Sequence, residues 1–101
     1  MKLVFNREQL GQFCQQRGIA RLELFGSALR DDFRGDSDVD LLATLRGDAQ
    51  PTLLDWADMQ EKLAEVFGRP VDLVSRRAVE QSSNPIRRRQ ILESAERLYV
   101  A

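Results

Sequence analysis

The segment from Val39 to Leu45 constrains the fold of this chain more than any other, because it holds one charged residue among seven. A short, nearly all-apolar segment is typical of a strand that is buried on both faces. Such a strand needs other strands beside it and helices on either side. Ile19 to Phe25, in which apolar and charged residues alternate, and Val71 to Ser75, which follows a proline, are predicted to be strands of the same sheet.

Capping residues mark the ends of two helices. Asn6 is a suitable N-cap for a helix over residues 7–17, and Gly18 is a suitable residue to end it. Thr52 is a suitable N-cap for a second helix, in which apolar residues recur at helical spacing as far as Gly68. We therefore expect each of these helices to pack an apolar face against the sheet.

The remaining segments complete the expected order of elements. Ala28 to Arg30 is predicted to be a short helix, residues 31–37 a loop, and Ile86 to Leu98 a closing helix. The order is then helix, strand, short helix, strand, helix, strand, helix. It predicts an α+β fold with α/β-like alternation, in which helices flank a small mixed sheet of about three to four strands. We expect residues 1–101 to form one such domain.

Two features of the composition exclude several kinds of active site. Without histidine, the chain cannot supply a Ser-His-Asp triad, an imidazole base or a histidine-containing zinc site. Cys14 is the only cysteine, so it cannot form an internal disulfide, and we expect it to be buried. Any metal ion would be a hard one with oxygen ligands, such as magnesium or manganese. No apolar run approaches the length of a membrane helix, so a soluble cytoplasmic protein is expected.

The charges are unevenly distributed along the chain. The net charge of −1 argues against general binding of nucleic acid, but residues 1–30 carry +3, residues 31–72 carry −7 and residues 76–101 carry +3. An acidic centre between basic flanks suits a cation site attended by arginines that can meet phosphate or an acidic partner. The run Arg87–Arg89 has two interpretations, a solvated helix surface or a contact with an acidic protein or RNA, and the sequence leaves both open.

Three aspartates are the candidate metal ligands. Asp38 and Asp40 flank Val39 at the start of the apolar strand, and side chains two apart on a strand point the same way. Two carboxylates so placed repel each other unless a divalent cation lies between them. Asp72 is a lone carboxylate in an apolar segment, where burial of a charge is costly without a partner. If its strand lies beside Val39–Leu45, the three carboxylates can hold two metal ions.

A candidate phosphate site follows the first strand. Gly26 allows the backbone to approach a ligand closely, and the amides of a helix start together with the Ser27 hydroxyl suit a phosphate group. Arg30 lies one helical turn further on and can reach the same anion. The phosphate site and the carboxylates together describe a site for a metal–nucleoside triphosphate.

These residues also carry a family resemblance. Gly26-Ser27, ten residues, then Asp38-x-Asp40 and a later aspartate, Asp72, on a third strand resemble the polymerase-beta-type nucleotidyltransferase superfamily. The small size resembles its minimal nucleotidyltransferase (MNT) branch, whose members are often antitoxins beside HEPN-domain toxins. The chain has Ala28 where an arginine is often found in the family, and Asp31 where a glycine is often found.

The resemblance implies a specific reaction. Asp38, Asp40 and Asp72 would be the catalytic and metal-binding residues, holding two Mg²⁺ ions or Mn²⁺, and Gly26, Ser27 and Arg30 would bind the nucleotide. The chain would be an adenylyltransferase that uses ATP to transfer AMP to a tyrosine hydroxyl of a cognate HEPN toxin, and would thereby act as an antitoxin.

Two alternatives remain open at the level of the sequence. One is a binding module that neutralises a toxin by stoichiometric contact without catalysis. The other is a stand-alone nucleotidyltransferase for a small molecule or RNA. Apolar surface on the closing helix would suit a homodimer or a toxin interface equally well.

Overall fold

The computed structural model describes residues 5–26, 38–47 and 51–100. Within these residues the helices are α1 (Arg7–Arg17), α2 (Leu53–Phe67), α3 (Arg76–Glu80) and α4 (Pro85–Ser94). The strands are β1 (Ile19–Phe25), β2 (Val39–Leu45), β3 (Val71–Ser75) and β4 (Glu96–Val100). The predicted short helix at 28–30 and the predicted loop at 31–37 lie outside the described residues.

The four strands form one mixed sheet in the order β3-β2-β1-β4. β1 pairs antiparallel with both β2 and β4, whereas β2 and β3 are parallel. A parallel pair needs a crossover connection, and α2 lies within that connection. The prediction of a small mixed sheet flanked by helices is therefore confirmed, with β2 as the interior strand that its apolar sequence requires.

Local capping fixes the two long helices where the sequence predicts. The Asn6 side chain accepts a hydrogen bond from the Gln9 amide at the start of α1, and Gly18 ends that helix in a left-handed conformation. Thr52 and Asp55 form a reciprocal capping box at the start of α2. These hydrogen bonds from Thr52 to the Asp55 carboxylate hold the pKa of Asp55 below its usual value.

The first face of the sheet carries the larger core cluster. Leu22 and Leu24 of β1 and Leu41 of β2 are fully buried there against α1 and α2. Cys14 of α1 is also fully buried, which confirms its predicted packing role, and burial raises the pKa of its thiol to about 12. The apolar stripes of the two long helices therefore cover this face.

The opposite face carries a smaller cluster beneath α3 and α4. Phe25, Leu42 and Val79 are buried there, and partly buried residues pack around them: Val74, Ile91, Leu92 and Ala95. Because side chains alternate along a strand, Asp40 points to the same face as Leu42. The acidic position thus lies on the side of the sheet that α4 covers.

The prediction for the end of the chain was wrong in part. The closing helix ends at Ser94, and Glu96–Val100 forms β4 along the free edge of β1. Ala95 adopts an extended conformation that ends the helix. Leu98, the last residue of the predicted helix, packs on the larger cluster from β4 instead. Pairing with β1 supplies backbone hydrogen bonds that a longer surface helix would not give to that edge.

A short helix that the sequence analysis did not predict, α3, follows β3 directly. The Ser75 hydroxyl accepts a hydrogen bond from the Ala78 amide and so caps it. Throughout the described segments, no helix has the length and apolar character that crossing a bilayer would require.

Candidate functional site

The strand register brings two of the three predicted carboxylates together. In the parallel ladder Asp40 is directly opposite Asp72, with Val39 opposite Val71. Paired residues of neighbouring strands point to the same face, so the two carboxylates are cross-strand neighbours. The Val39 amide donates to the Pro70 carbonyl at 2.9 Å, which fixes this register at the start of β2.

Asp38 and Asp72 differ from Asp40 in their exposure. Asp40 is partly buried, whereas Asp38, directly before β2, and Asp72 are exposed. The expected cost of burying Asp72 therefore does not arise. β3 is an edge strand, and Asp72 reaches solvent between the buried residues Val71 and Leu73. Carboxylates at such an edge remain accessible to a ligand from outside.

Gly26 makes room for the Asp40 carboxylate. Its φ of +72° lies in the left-handed region that favours glycine, and a Cβ atom there would lie only 3.2 Å from the Asp40 Cγ and still closer to a carboxylate oxygen. Phe25, the preceding residue, is the register partner of Asp40. The glycine of the sequence motif is thus needed for its backbone conformation and for the space it leaves.

The other predicted nucleotide-binding residues, Ser27 and Arg30, lie outside the described residues, as do Ala28 and Asp31. Gly26 is therefore the part of the predicted phosphate site whose geometry is described. Its position beside Asp40 brings the end of β1 next to the start of β2, as the motif requires.

The carboxylates supply the right donors for a hard cation, but their side chains are not gathered around one point. Among residues 5–26, 38–47 and 51–100, no group of three or more acidic or thiol side chains is arranged closely enough to hold a metal ion. Asp40 and Asp72 lie on the same face of the sheet, so rotation about their side-chain bonds can bring their oxygens closer together. Carboxylate oxygens are the ligands that Mg²⁺ prefers, so the residues fit that ion.

A groove of about 720 Å³ runs from Gly26 to α4. Its described lining comprises Phe25, Gly26, Arg87, Gln90, Ile91, Glu93 and Ser94. No pattern in the sequence predicts that α4 lies near the carboxylates, because residues so far apart in the chain give no local signal of contact. The run of arginines on α4 was the one available indication.

A partly buried ion pair lies on the same face of the sheet as the carboxylates. Glu23 is 8% exposed, and Arg76 donates from Nη1 to its Oε1 at 2.5 Å. Arg76 Nε also lies 3.5 Å from Glu80. Because Arg76 directly follows β3, these contacts attach the end of that strand to β1. The ion pair therefore helps to hold β3, and with it Asp72, in place. No local pattern in the sequence predicted this contact.

Residues 7–98 match the nucleotidyltransferase domain family. The mixed sheet agrees with this match, as do the aspartates at its edge and the glycine beside them. The chain belongs to that family. This nucleotidyltransferase domain has 37% identity to a solved structure assigned as a minimal nucleotidyltransferase, over 88% of this chain and 85% of that one, with a TM-score of 0.65.

Two further relatives have a named activity or partner. The protein adenylyltransferase MntA of Thermococcus cleftensis is 37% identical over 57 residues, which span 56% of this chain and 56% of that protein. The match thus spans about half the length of the curated relative. The nucleotidyltransferase domain also shares its fold with a chain in the complex of a tri-AMPylated Shewanella oneidensis HEPN toxin and its MNT antitoxin, at 18% identity, covering 94% of this chain and 70% of that one, with a TM-score of 0.61.

Proposed function

We propose that this chain transfers AMP from magnesium-bound ATP to a tyrosine hydroxyl of a partner protein, a HEPN-domain toxin, and so acts as a cytoplasmic antitoxin. The observation that carries the proposal is the pairing of Asp40 with Asp72 beside Gly26, in a member of the nucleotidyltransferase domain family. The relatives support AMP as the group transferred, since one is named a protein adenylyltransferase and another is complexed with an AMPylated toxin.

Each site residue has a proposed role. Asp38 and Asp40 would hold the two magnesium ions, and Asp72 would hold the ion nearer the acceptor. Gly26, Ser27 and Arg30 would bind the triphosphate. When bound, the metal ions would neutralise the phosphate oxygens and align the reacting groups.

The reaction needs no histidine. The acceptor hydroxyl oxygen forms a bond to the α-phosphorus, the bond from that phosphorus to the bridging oxygen breaks, and pyrophosphate leaves. The hydroxyl proton passes to the Asp72 carboxylate, which is exposed and can accept it. Positioning of the two substrates in line, together with electrostatic stabilisation of the phosphate oxygens, accounts for most of the rate enhancement expected at such a site.

The experiment that tests the proposal compares the unsubstituted protein with the double variant Asp38→Asn, Asp40→Asn. Binding of MgATP is followed by calorimetry, and transfer to a co-expressed HEPN-domain toxin is followed by intact mass. We expect the unsubstituted protein to bind MgATP and to add AMP to the toxin, and the double variant to lose both. Glu61→Gln, an exposed acid on α2, is the matched control and should retain both.

One result would replace the proposal by the binding-module alternative. If the double variant neutralises the toxin as well as the unsubstituted protein, and neither adds AMP, then neutralisation depends on stoichiometric contact. If AMP were transferred to RNA or a small molecule and the toxin stayed unmodified, the proposed acceptor would be wrong. The chain would still act as a nucleotidyltransferase.

A further inference from the structure

We propose that Arg87, on the first turn of α4, binds the phosphate chain of the nucleotide and that α4 thereby forms one wall of the nucleotide groove. The inference rests on the proposed function and adds to it a residue from the far end of the chain. No part of the Gly-Ser and Asp-x-Asp pattern points to α4.

The structure gives the three successive arginines different environments. Arg88 donates from Nη1 to the Ser82 carbonyl at 3.2 Å, so it ties α4 to the preceding turn. Arg89 Nε lies 3.7 Å from the Glu93 carboxylate one helical turn later. Arg87 lines the groove that also reaches Gly26. Among the described residues, no carboxylate forms an ion pair with it.

The position of Arg87 in its helix is unfavourable for the helix alone. α4 begins at Pro85, so Arg87 lies in the first turn, and that turn contains no acidic residue. The helix macrodipole places partial positive charge at this end and therefore opposes a cationic side chain. A positive helix end bearing an additional guanidinium is a favourable environment for an anion.

Opposite charges meet at the groove. Gly26 of its lining adjoins the Asp40 carboxylate, and Arg87 of its lining supplies a guanidinium, while Glu93 in the same lining is paired with Arg89. A bare anion would be repelled by Asp40, and a bare cation by Arg87. A metal-bound polyphosphate carries both charges, with the metal near the carboxylates and the phosphate chain extending towards α4. The groove volume of about 720 Å³ is within the range of small-molecule sites.

Arginine is well suited to this contact. The planar guanidinium presents several N–H donors that can bind two phosphate oxygens at once, whereas lysine offers a single ammonium centre. The proposal therefore predicts that the shape of the side chain matters as well as its charge. It also predicts that the nucleobase does not matter to this contact.

The test is calorimetric binding of MgATP, MgGTP and AMP to the full chain and three variants. We expect Arg87→Ala to raise the Kd of MgATP and of MgGTP about tenfold. Binding of AMP should change little, since it lacks the β- and γ-phosphates. Arg87→Lys should recover part of the affinity. Arg77→Ala removes an exposed arginine of α3 that does not line the groove, and it should leave every Kd unchanged.

The outcomes separate this proposal from the one it rests on. If the unsubstituted protein binds no MgATP, the proposed function fails and the Arg87 assignment fails with it. If MgATP binds with equal affinity to the unsubstituted protein and to Arg87→Ala, only the Arg87 assignment is overturned. An Arg87→Ala variant that binds nucleotide normally but no longer associates with the toxin would identify the groove as a docking surface for an acidic segment.

Discussion

At the scale of single residues, the site depends on Gly26 having no side chain as well as on its carboxylates. Gly26 has a positive φ, and the space where its Cβ would lie is next to the Asp40 carboxylate. Gly68 also has a positive φ, but nothing lies within 4 Å of its Cβ position. Substitution of Gly68 therefore introduces backbone strain alone, whereas substitution of Gly26 adds a steric conflict with Asp40.

Gly26→Ala is expected to lose MgATP binding, because the new methyl group displaces the Asp40 carboxylate. Each of Gly26→Ala and Gly68→Ala should lower the free energy of unfolding by about 1–2 kcal/mol through the left-handed conformation. Gly68→Ala should bind MgATP normally. Chemical denaturation and calorimetry measure the two effects, and nucleotide loss in both variants would contradict the steric explanation.

Cys14 gives a prediction for alkaline pH. Its thiol is fully buried, and desolvation raises its pKa from 9.0 to about 12. Below pH 9 the thiol is protonated in both the folded and the unfolded chain. Between pH 9 and 12 the unfolded chain ionises while the folded chain retains its proton, so the free energy of unfolding falls as pH rises.

We expect Cys14→Ala to lack this part of the alkaline loss of stability. Urea denaturation of both proteins at about pH 8 and about pH 10 measures it, since other titrating groups contribute equally to the two. The unsubstituted protein should lose about 1 kcal/mol more than the variant over this interval. Equal losses would indicate that the thiol ionises in the folded protein.

At the scale of elements, α2 holds β3 in place through two side chains. The Leu73 amide donates to Gln60 Oε1 at 2.9 Å, and Trp56 Nε1 donates to the Leu73 carbonyl at 2.9 Å. β3 is an edge strand, so these side chains bind the backbone groups of Leu73 that no further strand can pair. Because Leu73 directly follows Asp72, α2 also helps to position the acceptor-side carboxylate of the proposed site.

Gln60→Leu should lower the free energy of unfolding by about 1–3 kcal/mol, since it leaves the partly buried Leu73 amide without its acceptor. Gln60→Glu keeps an acceptor oxygen at that position and should lose less. Urea denaturation compares the two. If both variants were equally destabilised, the packing of the side chain and not its hydrogen bond would be responsible.

At the scale of the whole molecule, the end of the chain forms the edge strand β4, which pairs with β1. β1 ends at Phe25, directly before Gly26, so the last described strand supports the first part of the site. Leu98 packs on the larger core cluster, whereas Val100 is 46% exposed. Leu98 is the extra residue where the register between β4 and β1 shifts, so Leu98 and the following Tyr99 both pack on that cluster.

Leu98→Asp is expected to lower the free energy of unfolding by about 1–3 kcal/mol, because it moves a charge against the apolar cluster. Val100→Asp is the matched control on the same strand and should change stability by less than about 0.5 kcal/mol. Thermal unfolding followed by circular dichroism measures both. Equal effects of the two substitutions would contradict the observed orientation of β4.

The sequence by itself determined the bounds of α1, α2 and the first three strands. Their signals are local: caps at Asn6 and Thr52, glycines that end the helices, and apolar patterns within each segment. The motif also singled out Asp40, Asp72 and Gly26, which lie next to one another in the structure, and their roles in the reaction stay a prediction.

Tertiary structure alone decided the rest, for one physical reason. Residues 95–98 continue a helical pattern, but the open edge of β1 offers backbone hydrogen bonds that depend on strands distant in sequence. The exposure of Asp72 likewise depends on β3 being an edge strand. The groove between Gly26 and Arg87 depends on the packing of α4 against the sheet. Contacts between segments far apart in the chain leave no periodicity in either one, so they become visible only when the chain is folded.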